Sequence, residues 1–335
     1  MYRNRRPGVP AALAAAFLLG TGTPLAKLLL DVVRPWLLAG LLYLGSGIGL
    51  TLYRLVSRAP RVRLPRNEVP WFAGAILAGG IVGPVLLMIG LKEIPASGAS
   101  LLLNSEGVFT ALLAWFAFKE NVDRRIALGM LSIVAGAAVL SWPAEARLTA
   151  LWPTLAVLGA CLAWAVDNNL TRKVSLNDAT WIAAVKGLVS GTVNLGLAFS
   201  LGAGVPALSK IAGAMGVGFF AYGASLALFV VGLRHLGAAR TSAYFSVAPF
   251  IGALLAVSMG EAVTPQLAVA GALMALGLWL HLTERHEHEH VHDEHHRHEH
   301  SGVATAGDRH THWHRHEPLS HVHPHFPDAH HRHGH

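Results

Sequence analysis

GLKEIPASGASLLLNSEGVFTALLAWFAFKE occupies residues 90–120, and GLRHLGAARTSAYFSVAPFIGALLAVSMGE occupies residues 232–261. Laid on each other, Gly90, Ser100, Ala111, Leu112, Leu113 and Ala114 fall opposite Gly232, Ser242, Ala253, Leu254, Leu255 and Ala256. Glu120 meets Glu261 after a one-residue gap, and beyond it Gly129 and Gly136 meet Gly271 and Gly277. Both stretches hold long apolar runs that end in an acid. Such a run is too long and too continuous for a barrel strand, which alternates over about ten residues. The chain therefore reads as a membrane unit written twice.

Working outward from this pair, ten apolar segments approach the ~20 residues that cross a bilayer as a helix. They run approximately Val9–Leu30, Pro35–Tyr53, Pro70–Leu91, Ala96–Phe118, Ile126–Trp142, Ala150–Leu170, Ala179–Leu201, Ile211–Leu233, Ala238–Met259 and Pro265–Leu282. Two copies of five helices face opposite ways because five is odd, and inverted repeats of this kind build alternating-access carriers. The expected fold is an all-α polytopic membrane protein of ten transmembrane helices in two inverted five-helix repeats, followed by a disordered tail. The first repeat spans 1–142, the second 143–283, and the tail 284–335.

Composition agrees. Of 335 residues, 53% are hydrophobic and 13% charged, about half the charged share of soluble domains. The single cysteine, Cys161, excludes an internal disulfide framework and reads as a small packing residue. The net charge of +7 is no nucleic-acid signal. Its cations lie at the N-terminus and in short loops, where the positive-inside rule accounts for them. One side would carry Arg3, Arg5, Arg6, Arg54, Arg58, Arg61, Arg63, Arg66, Lys119, Arg124, Arg125, Arg172, Lys173, Arg234 and Arg240; the other holds Arg34, Lys92, Arg147 and Lys210. That asymmetry predicts both termini in the cytoplasm and a multi-pass protein of the inner (plasma) membrane. MYRNRRP reads as the basic flank of an uncleaved first helix.

The tail is histidine-rich. The candidate metal ligands are His286, His288, His290, His292, His295, His296, His298, His300, His310, His312, His314, His316, His321, His323, His325, His330, His331, His333 and His335. Imidazole suits zinc, nickel, cobalt and cupric copper, and alternating His-X-His fixes no single geometry, so labile multi-site binding is expected. Imidazoles also titrate near pH 6.5, so acidification would turn an acidic tail strongly basic. The tail is too polar to build a core, and no required cofactor is expected.

PAS at 95–97 with the run to Glu120, GMLSIVAGAAVLSW from Gly129, the echoes APFIGALLAVSMGE and AGALMALGLWLHL, and LAWAVDNNLTRKVS at 162–175 carry a resemblance. From about Pro10 to Leu282 the chain resembles EamA-type transporters of the drug/metabolite transporter superfamily. The resemblance implies ten helices, cytoplasmic termini, and secondary transport or exchange of small organic solutes, often efflux. Gly107 stands where that family usually has a proline after the fourth-helix glutamate, whereas Pro249 keeps the matching place in the second repeat.

Ionisable groups inside hydrocarbon are costly and face an interior or a water-filled path. Glu106 lies near the middle of the fourth segment, with Asn104 two residues away on another face. Asp167 and Asn168 close the sixth segment; Lys186 and Asn194 lie on the seventh. These six are the expected substrate path. Glu106 is placed to carry the proton of a proton-coupled cycle, and Asp167 with Lys186 to neutralise each other across adjacent helices. Lys27 and Asp31, four apart, suggest a local ion pair. Glu120 and Glu261 read as boundary residues, and Tyr222 and Tyr244 as packing residues. No phosphate-binding glycine loop, HExxH or catalytic cysteine arrangement appears, so no enzyme is expected.

The function expected is a carrier moving a small solute across the inner membrane by alternating access, by efflux or exchange. Two alternatives stand beside it: a zinc, nickel or cobalt carrier loaded from or regulated by the tail, and a membrane-tethered metal buffer or sensor. No His pair lies within the apolar segments, which weighs against direct metal transport. The expected partners are the lipid bilayer, a small-molecule substrate and transition metal ions, with no nucleic acid. A homodimer is left open.

Overall fold

The computed structural model describes residues 8–118, 124–141, 151–174, 177–236, 244–282, 287–291 and 309–313. Among these residues eleven main helices follow in chain order. They are α1 (Gly8–Leu30), α2 (Pro35–Val56), α3 (Val69–Glu93), α4 (Ala96–Leu102), α5 (Ser105–Phe118), α6 (Arg124–Ser141), α7 (Trp152–Thr171), α8 (Ala179–Ser200), α9 (208–236), α10 (Ala248–Ser258) and α11 (Pro265–Leu282). Among the described residues five helices are long and apolar enough to cross a membrane: α1, α2, α3, α8 and Leu208–Val231 of α9. Shorter apolar helical stretches occupy Ala127–Leu140, Ala248–Ser258 and Pro265–Leu280.

Local chemistry sets several of the boundaries. Pro35 opens α2 at the position where its missing N–H costs nothing. Asp178 caps α8, its Oδ1 accepting from the amides of Thr180 (2.8 Å) and Trp181 (3.1 Å). α3 and α9 are not regular throughout: Ile76–Val82 and Phe219–Ala224 are wound as π-helix. The expected fourth span is not one helix. α4 and α5 are separated by a turn at Leu103–Asn104. There Leu103 N donates to Ala99 O and Asn104 N to Leu101 O, so the ladder closes one helix before the next begins.

The helices pack as a bundle with α2 against α8 at its centre. A side chain on Gly187 would press on the backbone of Gly47 (2.6 Å to its N), so both positions must be bare for the two helices to cross this closely. α6 packs on α11, where Ser132 Oγ donates to Leu273 O (2.7 Å). α3 lies on α7 and α1 on α9; α5 lies on α7 and α1 on α10. The shared core includes Leu37, Leu38, Leu42, Leu87, Met88 and Met274. Large apolar side chains also cover the outside, Phe17, Leu55, Val56, Leu77 and Leu254 among them. An aqueous surface would not place them so, and a lipid-facing one does.

The tail departs from the expectation of disorder where it is described. Glu287–Val291 (β1) pairs antiparallel with Arg309–Trp313 (β2), setting His288 opposite His312 and His290 opposite His310. Alternating His-Glu and His-Thr has the two-residue period of a strand.

Candidate functional site

The break between α4 and α5 puts Glu106 in the first turn of α5, where the free amides and the helix dipole favour a carboxylate. Its Oε1 accepts from Asn168 Nδ2 of α7 at 2.8 Å. Glu106 is half-buried and Asn168 exposed, so this bond is open to whatever enters between the helices. Asn104 is turned away to the break itself, its Nδ2 donating to Leu101 O at 3.0 Å.

One residue before Asn168 the environment changes. Asp167 is buried, and its Oδ1 accepts from Lys186 Nζ (2.6 Å) and Thr171 Oγ1 (2.9 Å). The expected pair between the sixth and seventh segments is thus formed. Glu106 lies within electrostatic reach of both partners.

The third wall is the π segment of α3. Gly79 O accepts from Tyr43 Oη (2.8 Å) and Trp164 Nε1 (2.9 Å). A Cβ on Gly79 would collide with the Asp167 carboxylate, and one on Gly80 with Ser190 Oγ. Asn194 Nδ2 donates to Gly80 O at 3.1 Å. Lys186, Ser190 and Asn194 therefore form an i, i+4, i+8 stripe on α8 that faces the two glycines. Ser190 Oγ and Asn194 Oδ1 are fully buried and meet no hydrogen-bond partner among the described residues. Tyr43 also meets Tyr222, from the π segment of α9, with ring centroids 5.7 Å apart. π segments and broken helices free backbone carbonyls at membrane depth, and both recur where membrane proteins bind.

This geometry has recognisable relatives. Residues 6–142 match the EamA-like transporter family. The probable 4-amino-4-deoxy-L-arabinose-phosphoundecaprenol flippase subunit ArnE of Pseudomonas paraeruginosa is 36% identical over 109 residues, 31% of this chain and 92% of that protein. The chain belongs to the EamA-like transporter family. An uncharacterized transporter of Methanothermobacter thermautotrophicus is 26% identical over 298 residues, 83% of this chain and 87% of its own length. A solved crystal structure shares the fold with a TM-score of 0.62 at 22% identity, covering 81% of this chain and 95% of that one. The chain is thus a multi-pass membrane protein of an EamA-like transporter type.

Within this family member, five of the six expected path residues meet: Glu106 with Asn168, Asp167 with Lys186, and Asn194 beside them through Gly80. Tyr43, Trp164, Gly79, Gly80 and Ser190 were not anticipated. Their one trace in the sequence is the mid-span pair Gly79-Gly80, which by itself fixes none of these contacts.

Other expectations change. Lys27 donates to the carbonyls of Leu91 (2.7 Å) and Lys92 (2.8 Å) at the end of α3, not to Asp31. Those carbonyls close a helix and need a donor, whereas Asp31 sits at the surface in reach of water. Glu261 is more than a boundary residue: its carboxylate accepts from the amides of Ala96 (2.6 Å) and Ser97 (2.8 Å) and so caps α4 from across the bundle. Glu120 lies outside the described residues. Among the described residues no group of three or more His, Cys, Asp or Glu side chains is placed to hold a metal. Of the tail ligands only His288, His290, His310 and His312 fall within the described residues.

Outside the spans, partial burial pushes the Asp178 carboxyl up, but hydrogen bonds from Thr180 and the Trp181 amide and the Arg54 guanidinium outweigh it and leave it lowered. Arg54 Nη1 lies 2.8 Å from Asp178 Oδ1 and ties α2 to the start of α8.

Proposed function

We propose that the chain is a secondary carrier of ten transmembrane helices in two inverted five-helix repeats, alternating access around Glu106. The single observation that carries this reading is the Glu106–Asn168 hydrogen bond. It joins the two repeats at a helix break, beside a buried ion pair and two unsatisfied buried polar groups. The packing supports the duplication. Exchanging α1 with α7, α2 with α8, α3 with α9, α4/α5 with α10, and α6 with α11 turns the α3–α7 contact into α1–α9 and α5–α7 into α1–α10, and maps α2–α8 and α6–α11 onto themselves. The register that lays Gly90 on Gly232 also lays the π segment Ile76–Val82 over Phe219–Ala224. The cytoplasmic termini and the inner-membrane location rest on the distribution of Lys and Arg.

The cargo is a small organic solute, moved by efflux or exchange, with Glu106 giving up a proton as the solute binds. The central charges leave one carboxylate unmatched, since Lys186 is committed to Asp167. The name of the Pseudomonas relative includes an amino sugar. Both favour amine-bearing solutes as the first to test. The tail is a labile store or sensor for zinc, nickel, cobalt or copper, a reading that the cross-strand histidine register supports.

Gly107 adjoins Glu106, and a side chain there would meet nothing within 4 Å. A cysteine at Gly107, in a Cys161→Ala background, should be reached by a membrane-impermeant maleimide from either side of the membrane. Labelling from one side only would defeat the alternating-access reading.

A further inference from the structure

α2 ends in an unusual way. Ala59 N donates to Arg54 O (3.0 Å) and Arg58 N to Leu55 O (3.2 Å), the paired bonds of a Schellman cap. That cap needs its exit residue in the left-handed region, and Arg58 sits there with φ 51°. Glycine is the ordinary occupant, because a Cβ crowds the backbone in this conformation. Arg58 is the only residue other than glycine with positive φ among the described residues. Strain retained at one position points to a use for the side chain.

Ala59, the residue that follows Arg58, lines a cleft. Between α2 and α8 lies a cavity of about 270 Å³, lined by Thr51, Leu55, Ala59, Trp181 and Leu188, with Arg54 on its polar side. Its walls are mostly apolar, and the neighbouring Leu52, Tyr53, Leu55 and Val56 are exposed at this end of the bundle. Arg54 is already engaged by Asp178, by Thr180 Oγ1 (2.7 Å) and by Pro60 O (2.8 Å). Glu68, the nearby acid, accepts from Asn177. Arg58, Arg61, Arg63 and Arg66 are exposed, and their guanidinium groups make no hydrogen bond or ion pair with a described residue. An apolar cleft thus opens next to a loop whose four arginines have no partner among the described residues.

We propose that this cleft is a binding site for an anionic phospholipid. Its phosphate lies on Arg58 and the arginines that follow, and one acyl chain enters between Leu55, Trp181 and Leu188. The positive-inside rule accounts for basic residues in this loop. It does not account for an arginine where glycine would fit better, or for the cleft beside it. A zwitterionic lipid would bring its own cation against the arginines, and a free phosphate would leave the apolar walls unused. The site requires that the chain spans a membrane and does not depend on the carrier cycle or its cargo.

The test is thermal unfolding of the full chain in detergent, with phosphatidylglycerol, phosphatidylcholine or inorganic phosphate added. Phosphatidylglycerol should raise the melting temperature by several degrees, and the other two should not. Arg58→Gly should melt higher than wild type without lipid, because the strain is gone, and should lose more than half of the phosphatidylglycerol shift. Ala59→Trp, which fills the cleft, should lose it as well. No shift with phosphatidylglycerol, an equal shift with phosphatidylcholine or inorganic phosphate, or an undiminished shift in both variants would overturn the proposal.

Discussion

Removing Lys186 tests the site where its energetics are sharpest. Asp167 and Lys186 have side-chain exposures of 7% and 17%, and the ammonium donates to Asp167 Oδ1 at 2.6 Å. In Lys186→Met, the Thr171 hydroxyl is the one donor left to Asp167 among the described residues, and its other oxygen lies where a Cβ on Gly79 would fall. Removing one partner of a buried pair leaves an uncompensated charge and costs about 3–5 kcal/mol. Replacing both partners leaves no charge behind. The double variant Asp167→Asn/Lys186→Met keeps an acceptor for Thr171 and should return to within about 1.5 kcal/mol of wild type. The assay is denaturant unfolding in mixed micelles followed by tryptophan fluorescence, run as a double-mutant cycle. A Lys186→Met variant within about 1 kcal/mol of wild type would refute the reasoning. So would a double variant as unstable as the sum of its singles.

Three further outcomes follow from the same geometry. Gly79→Ala should cost about 1–3 kcal/mol through its collision with the Asp167 carboxylate, whereas Gly98→Ala, where a Cβ meets nothing, should be close to neutral in the same unfolding assay. Glu261→Gln should destabilise by about 1.5–3 kcal/mol, because the amides of Ala96 and Ser97 lose a charged acceptor, and hydrogen exchange at those two amides should quicken. The lowered Asp178 carboxyl contributes stability that is present above its unfolded value near 3.8 and lost as pH falls through the still lower folded value. Asp178→Asn should therefore lower stability at neutral pH and flatten the acid limb of a stability–pH curve.

The helical bundle was readable in the sequence because lipid demands continuous apolar runs, and ten of them stand out between short polar connections. The Asp167–Lys186 pair was readable as well, since a lone charge at that depth must find its opposite on a neighbouring helix. The turn at Leu103–Asn104 was hidden. Gly107 replaces the proline that would have marked it, and LLLNSEGVF lies inside a single segment, Ala96–Phe118, long enough to span. The π segments leave no single-residue signature, so the freed carbonyl of Gly79 and its donors Tyr43 and Trp164 could not be placed. Lys27 shows the limit of local rules: spacing offered Asp31 four residues away, but the unsatisfied carbonyls closing α3 lie within reach and take the ammonium. In the tail, composition spoke against a core, while the alternation of histidine allowed paired strands.

The central claim is that Glu106 couples solute movement to the protein's change of access. It is tested most directly by reconstituting wild type and Glu106→Gln in proteoliposomes and following lumenal pH with a trapped dye while amine-bearing solutes are added. The account predicts that at least one solute drives a pH change with wild type, and that Glu106→Gln, folded as judged by unfolding, drives none. Solute-driven pH changes of equal size in both proteins would contradict it.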